Sequence, residues 1–113
     1  MAKYEHLKVY KDFYDFSKQM LNSIRKYPKL FKYTLGSSIQ EIIYEVLRGI
    51  VMVNGMEKKK EKLSELISYV ELLQIQIRLS KDMNCFGDLN MYFNLSQRLT
   101  EVLKQLEGWR KMS

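Results

Sequence analysis

Apolar residues recur every third or fourth position along most of this chain, and that period constrains the fold more than any other feature. One face of an α-helix returns every 3.6 residues, whereas a half-buried strand alternates every two. In a first segment, His6 to Lys26, the stripe comprises Leu7, Tyr10, Phe13, the small Ser17, Met20 and Ile24 and leads on to Tyr27, widened by Val9, Phe16 and Leu21. This helix is expected to stop before Pro28, because the residue preceding a proline is pushed out of helical geometry. A second helix, Leu35 to Asn54, carries Ile39, Ile42, Ile43, Val46, Leu47, Ile50 and Val53. Thr34 or Ser37 can cap its start with a side-chain oxygen, and Asn54-Gly55 supplies the turn that ends it.

A third helix is expected from near Glu57 to about Met83. Leu63, Leu66, Ile67, Val70, Leu73 and Ile77 hold one face, and Leu72, Ile75 and Leu79 make a second flank apolar. Its first turns, Glu57 to Lys62, read as a charged helical extension. Gly87 is the candidate for a left-handed turn residue and Asp88 for the next N-cap. The fourth helix, Leu89 to Leu106, turns Tyr92, Leu95, Leu99, Val102 and Leu106 inward, with Leu103 and Trp109 at its edge. Helices of about 20 residues are about 30 Å long, and four of them joined by short turns pack as an antiparallel up-down-up-down four-helix bundle. The expectation is thus an all-α fold, one domain over residues 1–113. The two-sided apolar character of the second and third helices is wider than a four-helix core requires and points to self-association.

Composition narrows the function by exclusion. The start, Met1 to His6, is polar and lacks the apolar stretch of a signal peptide. The most apolar run, Ile42 to Val53, is broken by Tyr44, Glu45, Arg48 and Gly49, so no membrane span is expected. The single cysteine, Cys85, cannot form an internal disulfide, which suits a reducing cytoplasm. Nucleophilic catalysis would have to use the one histidine, His6, near the chain start. Cys85 has only Lys81 nearby to activate it. The Glu-x-x-His pattern of di-iron bundles is absent, and the five glycines are too scattered for a phosphate loop. The chain therefore reads as a binding protein and not an enzyme, with no metal and no cofactor.

The formal charge is +6, and nearly all of the excess lies in residues 1–32, where eight basic residues face three acidic ones. Such a local excess suits a polyanion such as nucleic acid. Lys8, Lys11, Lys18 and Arg25 are spaced 3, 7 and 7 apart and share one outer stripe of the first helix. The following loop, Lys26-Tyr27-Pro28-Lys29-Leu30-Phe31-Lys32-Tyr33, mixes cations with aromatic rings. Lys26, Lys29 and Lys32 are candidate phosphate contacts; the rings can stack on bases, but the reading favoured for Tyr27, Leu30 and Phe31 is a plug closing the bundle end. Lys58 to Lys62 form a second patch, diluted by Glu57 and Glu61. Arg48, Arg78 and Arg98 either lay their stems along the bundle edge or pair with Glu41, Glu45, Glu71 or Glu101. Arg78 reads as an ion pair or an intersubunit contact.

Three motifs in register resemble one family. Arg25-Lys26-Tyr27-Pro28-Lys29 followed by Lys32-Tyr33-Thr34-Leu35-Gly36-Ser37-Ser38-Ile39 resembles the "PK…RYTLG" start of helix two in four-helix-bundle proteins. That group contains the ribosomal-RNA intervening-sequence proteins and the accessory variability determinant (Avd) proteins of diversity-generating retroelements. Leu72-Leu73-Gln74-Ile75-Gln76-Ile77-Arg78-Leu79 is similar to the Avd pattern Leu-Arg-x-x-Leu-Arg-Leu. Leu106-Glu107-Gly108-Trp109-Arg110-Lys111 is similar to the Avd ending Leu-Gly-Gly-Trp, and Gly108-Trp109 favours Avd over the intervening-sequence branch. Gln74 stands where Avd proteins often carry a basic residue, and Glu107 replaces the first glycine. The resemblance implies a four-helix bundle that assembles as a homopentamer and binds a reverse transcriptase and its template RNA or RNA–DNA hybrid. It also implies a supporting role in mutagenic reverse transcription. Arg78 and Trp109 match family positions and, with Arg48, are the candidate partner or oligomer contacts. The alternative is an interaction module of the intervening-sequence type that binds only protein.

Overall fold

The computed structural model describes residues 3–113 and is all-helical, with no strand among them. A 3₁₀ turn over Lys3–His6 leads into α1 (Lys8–Ile24); a single helical turn, α2 (Lys29–Lys32), precedes α3 (Leu35–Asn54), α4 (Lys60–Asp82) and α5 (Leu89–Met112). The four long helices pack α1 on α3, α3 on α4, α4 on α5 and α5 on α1, which closes the four-helix bundle in antiparallel up-down-up-down order. The result is a rod measuring 43 × 24 × 20 Å.

The core is the set of stripes read from the sequence. Phe13, Phe16 and Met20 of α1 meet Ile39, Ile43, Val46, Ile50 and Val53 of α3. Leu63, Leu66, Val70, Leu73 and Ile77 of α4 and Leu95, Leu99, Val102 and Leu106 of α5 complete it, all without solvent exposure. Burying each such side chain contributes roughly 1.5–3 kcal/mol, so these faces, more than helix propensity, hold the bundle. Where α3 packs on α4, the Leu66 side chain fills the space that Gly49 leaves open: a Cβ there would lie 3.2 Å from Leu66 Cγ and nearer still to Cδ2.

The helix ends differ from the sequence reading in instructive ways. α1 gives way at Arg25 to tighter turns, with Lys26 N–H donating to Ser23 O and Tyr27 N–H to Ile24 O, both at 3.0 Å. The segment expected to be loop forms the turn α2, whose Phe31 and Lys32 amides both donate to Pro28 O at 2.9 Å. Thr34 occupies the cap position of α3, but its hydroxyl turns back and donates to Leu30 O at 2.9 Å; no side chain caps that helix. The expected extension at Glu57 to Lys59 is not helical. Lys59 instead folds its ammonium onto the end of α3, donating to Val53 O at 3.1 Å, Asn54 O at 3.4 Å and Met56 O. Val53 and Asn54 end α3, where the last carbonyls carry the negative end of the helix dipole and favour a cation.

The left-handed residue after α4 is Asn84, with φ of 59°, and not Gly87. Cys85 N–H donates to Ser80 O at 2.8 Å and Asn84 N–H to Lys81 O at 3.0 Å, the paired bonds of a Schellman motif. Asp88 caps α5 as expected, accepting from Asn90 N–H at 2.8 Å. That helix then runs six residues past Leu106, to Met112.

Two loops close the same end of the rod. Tyr27 is buried there beside Phe86, ring centroids 5.8 Å apart, and Phe86 lies 5.9 Å from Tyr92. Phe31 packs on the core as expected, but Leu30 is 74% exposed and plugs nothing.

Candidate nucleic-acid interface

The cations of α1 fall into two groups according to their neighbours. Lys8 pairs with Asp12 at 2.6 Å, and Lys18 approaches Asp15 at 3.8 Å. Asp12 and Asp15 also face α5, taking hydrogen bonds from Gln105 at 2.8 Å and Arg98 at 2.6 Å. Burial would raise the Asp12 carboxyl, but the hydrogen bonds from Lys8 and Gln105 outweigh it and hold the group below the usual carboxylate range. Asp12 is therefore a standing negative charge beside Lys8 at neutral pH. Lys11 is exposed and has no carboxylate within ion-pair distance among the described residues.

Beyond Lys18 the balance changes. Arg25, Lys26, Lys29 and Lys32 gather at the end of the rod closed by α2, none paired with a carboxylate among the described residues. The first three are exposed and Lys32 is half-buried. Charge that is not locally compensated projects furthest into solvent and attracts a polyanion most strongly. The same group borders two recesses. Arg25 and Lys32 line one between α1 and α3, and Lys26 lines another that reaches Cys85, Phe86 and Asp88. The second patch is weaker, since Lys59 is spent on carbonyls and Lys62 lies 3.3 Å from Glu65.

The arginines proposed as edge residues separate clearly. Arg48 pairs with Glu45 at 2.6 Å, one of the partners foreseen. Arg98 pairs with Asp15 and not with a glutamate. Arg78 is exposed with no ion pair among the described residues, so the intrachain alternative falls away. Around it, Leu72, Ile75 and Leu79 form an outward stripe on α4 that Met83 extends just past the helix end, with Ile75 65% exposed. Trp109 is half-buried and packs on the core at the far end of α5.

Sequence reasoning placed Tyr33 in the loop that mixes cations with rings but missed the exposed Tyr14 and Tyr44. Tyr14, Tyr33 and Tyr44 all present substantial ring surface, and Lys18 and Lys32 place their ammonium groups 5.4 Å and 5.7 Å from the Tyr14 and Tyr33 ring centroids. The i, i+4 spacing of Tyr10 and Tyr14 on the flank of the stripe was the available signal. His6 lies exposed in the first 3₁₀ turn, and burial pushes the Cys85 thiol up, away from the reactive thiolate. No group of three potential metal ligands occurs among the described residues, and no helix there is long and apolar enough to cross a membrane.

No curated protein matches the sequence. A family model described as bAvd-like matches residues 7–113, which takes in α1 to α5 with all three motifs. By that match and by its helical bundle, the chain belongs to the bAvd-like family, that of the Avd proteins its motifs resemble.

Proposed function

We propose that this protein is a non-catalytic accessory subunit of a diversity-generating retroelement. It acts in the cytoplasm, binding the reverse transcriptase together with template RNA or cDNA in support of mutagenic copying. Family membership supports the accessory role. The observation that carries nucleic-acid binding is the cluster Arg25, Lys26, Lys29 and Lys32, whose charges have no carboxylate partners among the described residues.

Each phosphate neutralised releases counterions, so affinity should fall steeply as salt rises. Replacing all four cations with glutamine is expected to weaken binding of template RNA about tenfold at moderate salt and to flatten the salt dependence, with helicity unchanged. Fluorescence anisotropy across a salt series measures both. Salt-independent binding by the unaltered protein would remove the electrostatic mechanism. Undiminished binding by the variant would move the site elsewhere.

The protein acts as a homo-oligomer, a pentamer in this reading, and the α4 stripe supports it. Three large apolar side chains on an outer helix face, with Met83 beyond its end, expose area that a bundle alone leaves wet. Ile75→Asp is expected to shift the protein toward monomer without unfolding it, since Ile75 makes little core contact. Sedimentation velocity would read the change, and an unaltered sedimentation coefficient would place the interface on another face.

A further inference from the structure

We infer that the seam between α1 and α3 is a track for single-stranded nucleic acid, in which tyrosine rings stack on unpaired bases while flanking cations neutralise the phosphates. The inference rests on the nucleic-acid reading above and adds the form of the ligand and its path.

The seam consists of two recesses set end to end. One is an opening of about 260 Å³ lined by Arg25, Lys32, Tyr33, Ser37, Gln40 and Tyr44 over a floor of Leu21 and Ile24. Its volume lies just below the roughly 300–1,000 Å³ of small-molecule clefts, and no carboxylate lines it. The other lies further along the same two helices and is walled by Tyr10, Tyr14, Leu47 and Val51. Tyr10 and Tyr14 are themselves tilted together with centroids 5.8 Å apart. From Tyr10 to Arg25 the seam runs about 22 Å at the helical rise of about 1.5 Å per residue.

Three features select a single strand. Tyr14, Tyr33 and Tyr44 are 47%, 67% and 45% exposed, so their rings are available for contact. A duplex keeps its bases stacked inside and offers an approaching ring only phosphate and sugar, whereas an unpaired base can lie on the ring. Cations sit beside two of the three rings: Lys32 lies over Tyr33 with no carboxylate partner among the described residues, and Lys18 lies over Tyr14 while also 3.8 Å from Asp15, so the charge offered to an adjoining phosphate is strongest at Tyr33. Ser37 and Gln40 add hydroxyl and amide groups that can meet a base edge in the basic recess.

The test compares a short fluorescein-labelled single-stranded RNA with the same strand annealed to its complement, each titrated by anisotropy with the full chain. The triple variant Tyr14→Leu, Tyr33→Leu, Tyr44→Leu keeps apolar bulk and removes the rings. It is expected to lose roughly tenfold in single-strand affinity for each ring that stacks, with duplex affinity held within about twofold. Circular dichroism checks the fold, and Tyr33→Leu alone repeats the comparison at the most exposed ring should the triple variant unfold. Equal loss on both ligands, or no loss on the single strand, overturns the track while leaving the nucleic-acid reading in place. Failure of the unaltered protein to bind either ligand overturns both.

Discussion

Gly49→Ala is expected to destabilise the bundle by about 1–3 kcal/mol and to lower its melting temperature by roughly 4–10 °C. Helix propensity alone argues the opposite, because alanine is better than glycine inside a helix by about 0.8–1 kcal/mol. Packing decides the sign. The new methyl group would meet Leu66 at both Cγ and Cδ2, and Leu66 has no exposure and so no free space to retreat into. Overpacking a closed core forces strained rotamers or helix displacement, and its cost exceeds the propensity gain.

Two companions make this result specific. Gly108→Ala, in α5 with nothing within 4 Å of the added atom, should stabilise by up to about 0.5–1 kcal/mol. Leu66→Ala alone should cost about 2–5 kcal/mol, and the double variant with Gly49→Ala should cost less than the sum, since the methyl then fills vacated volume. Urea unfolding of the four variants beside the unaltered protein measures all of this. Strict additivity would show that the two helices do not touch through this pair.

The second large effect is on alkaline stability. Tyr27 is buried at the closed end of the rod, and burial pushes its phenol up to about 12, the neighbouring Ser80 hydroxyl offsetting part of the rise. In the unfolded chain the same group titrates near 10. The fold thus favours the neutral phenol, a contribution fully present below about pH 10 and lost as pH rises through about 12. A difference of about two units corresponds to roughly 2–3 kcal/mol. Tyr27→Phe removes a buried hydroxyl that finds no hydrogen-bond partner of good geometry, so stability at neutral pH should hold or rise slightly. Between about pH 10 and 12 the unaltered protein should lose stability more steeply than the variant. Parallel decline of the two curves would assign the alkaline transition to other groups.

The bundle was legible in the sequence where apolar spacing is regular. α3 begins at Leu35 and ends at Asn54, as read, because Ile39 through Val53 leave no ambiguity of period. The ends without apolar anchors were not. Glu57, Lys58 and Lys59 have adequate helix propensity but nothing to bury, and Lys59 finds better use on the carbonyls of α3. Asn84 took the left-handed position because the Schellman bonds form around it, a choice set by where α4 stops and not by glycine content. For the candidate interface, the positions of the cations were legible, and the i, i+4 and i, i+3 spacing of Lys8 to Asp12 and Asp15 to Lys18 carried their local pairing, but the cross-helix partner was not legible. Arg98 and Asp15 are 83 residues apart, and only the fold brings α5 against α1 so that Arg98 shares the carboxylate that Lys18 approaches.

The uneven ends of the rod have a consequence for any ring built from it. Rotation about a single axis keeps every copy at the same height, so each subunit would present Arg25, Lys26, Lys29 and Lys32 on the same side of the assembly. Like charges brought side by side oppose closure, a penalty that dissolved ions relieve by screening and a bound polyanion relieves more fully. Ring formation and template capture would then reinforce each other by equal amounts, since linkage is reciprocal. Salt would promote the first while weakening the second.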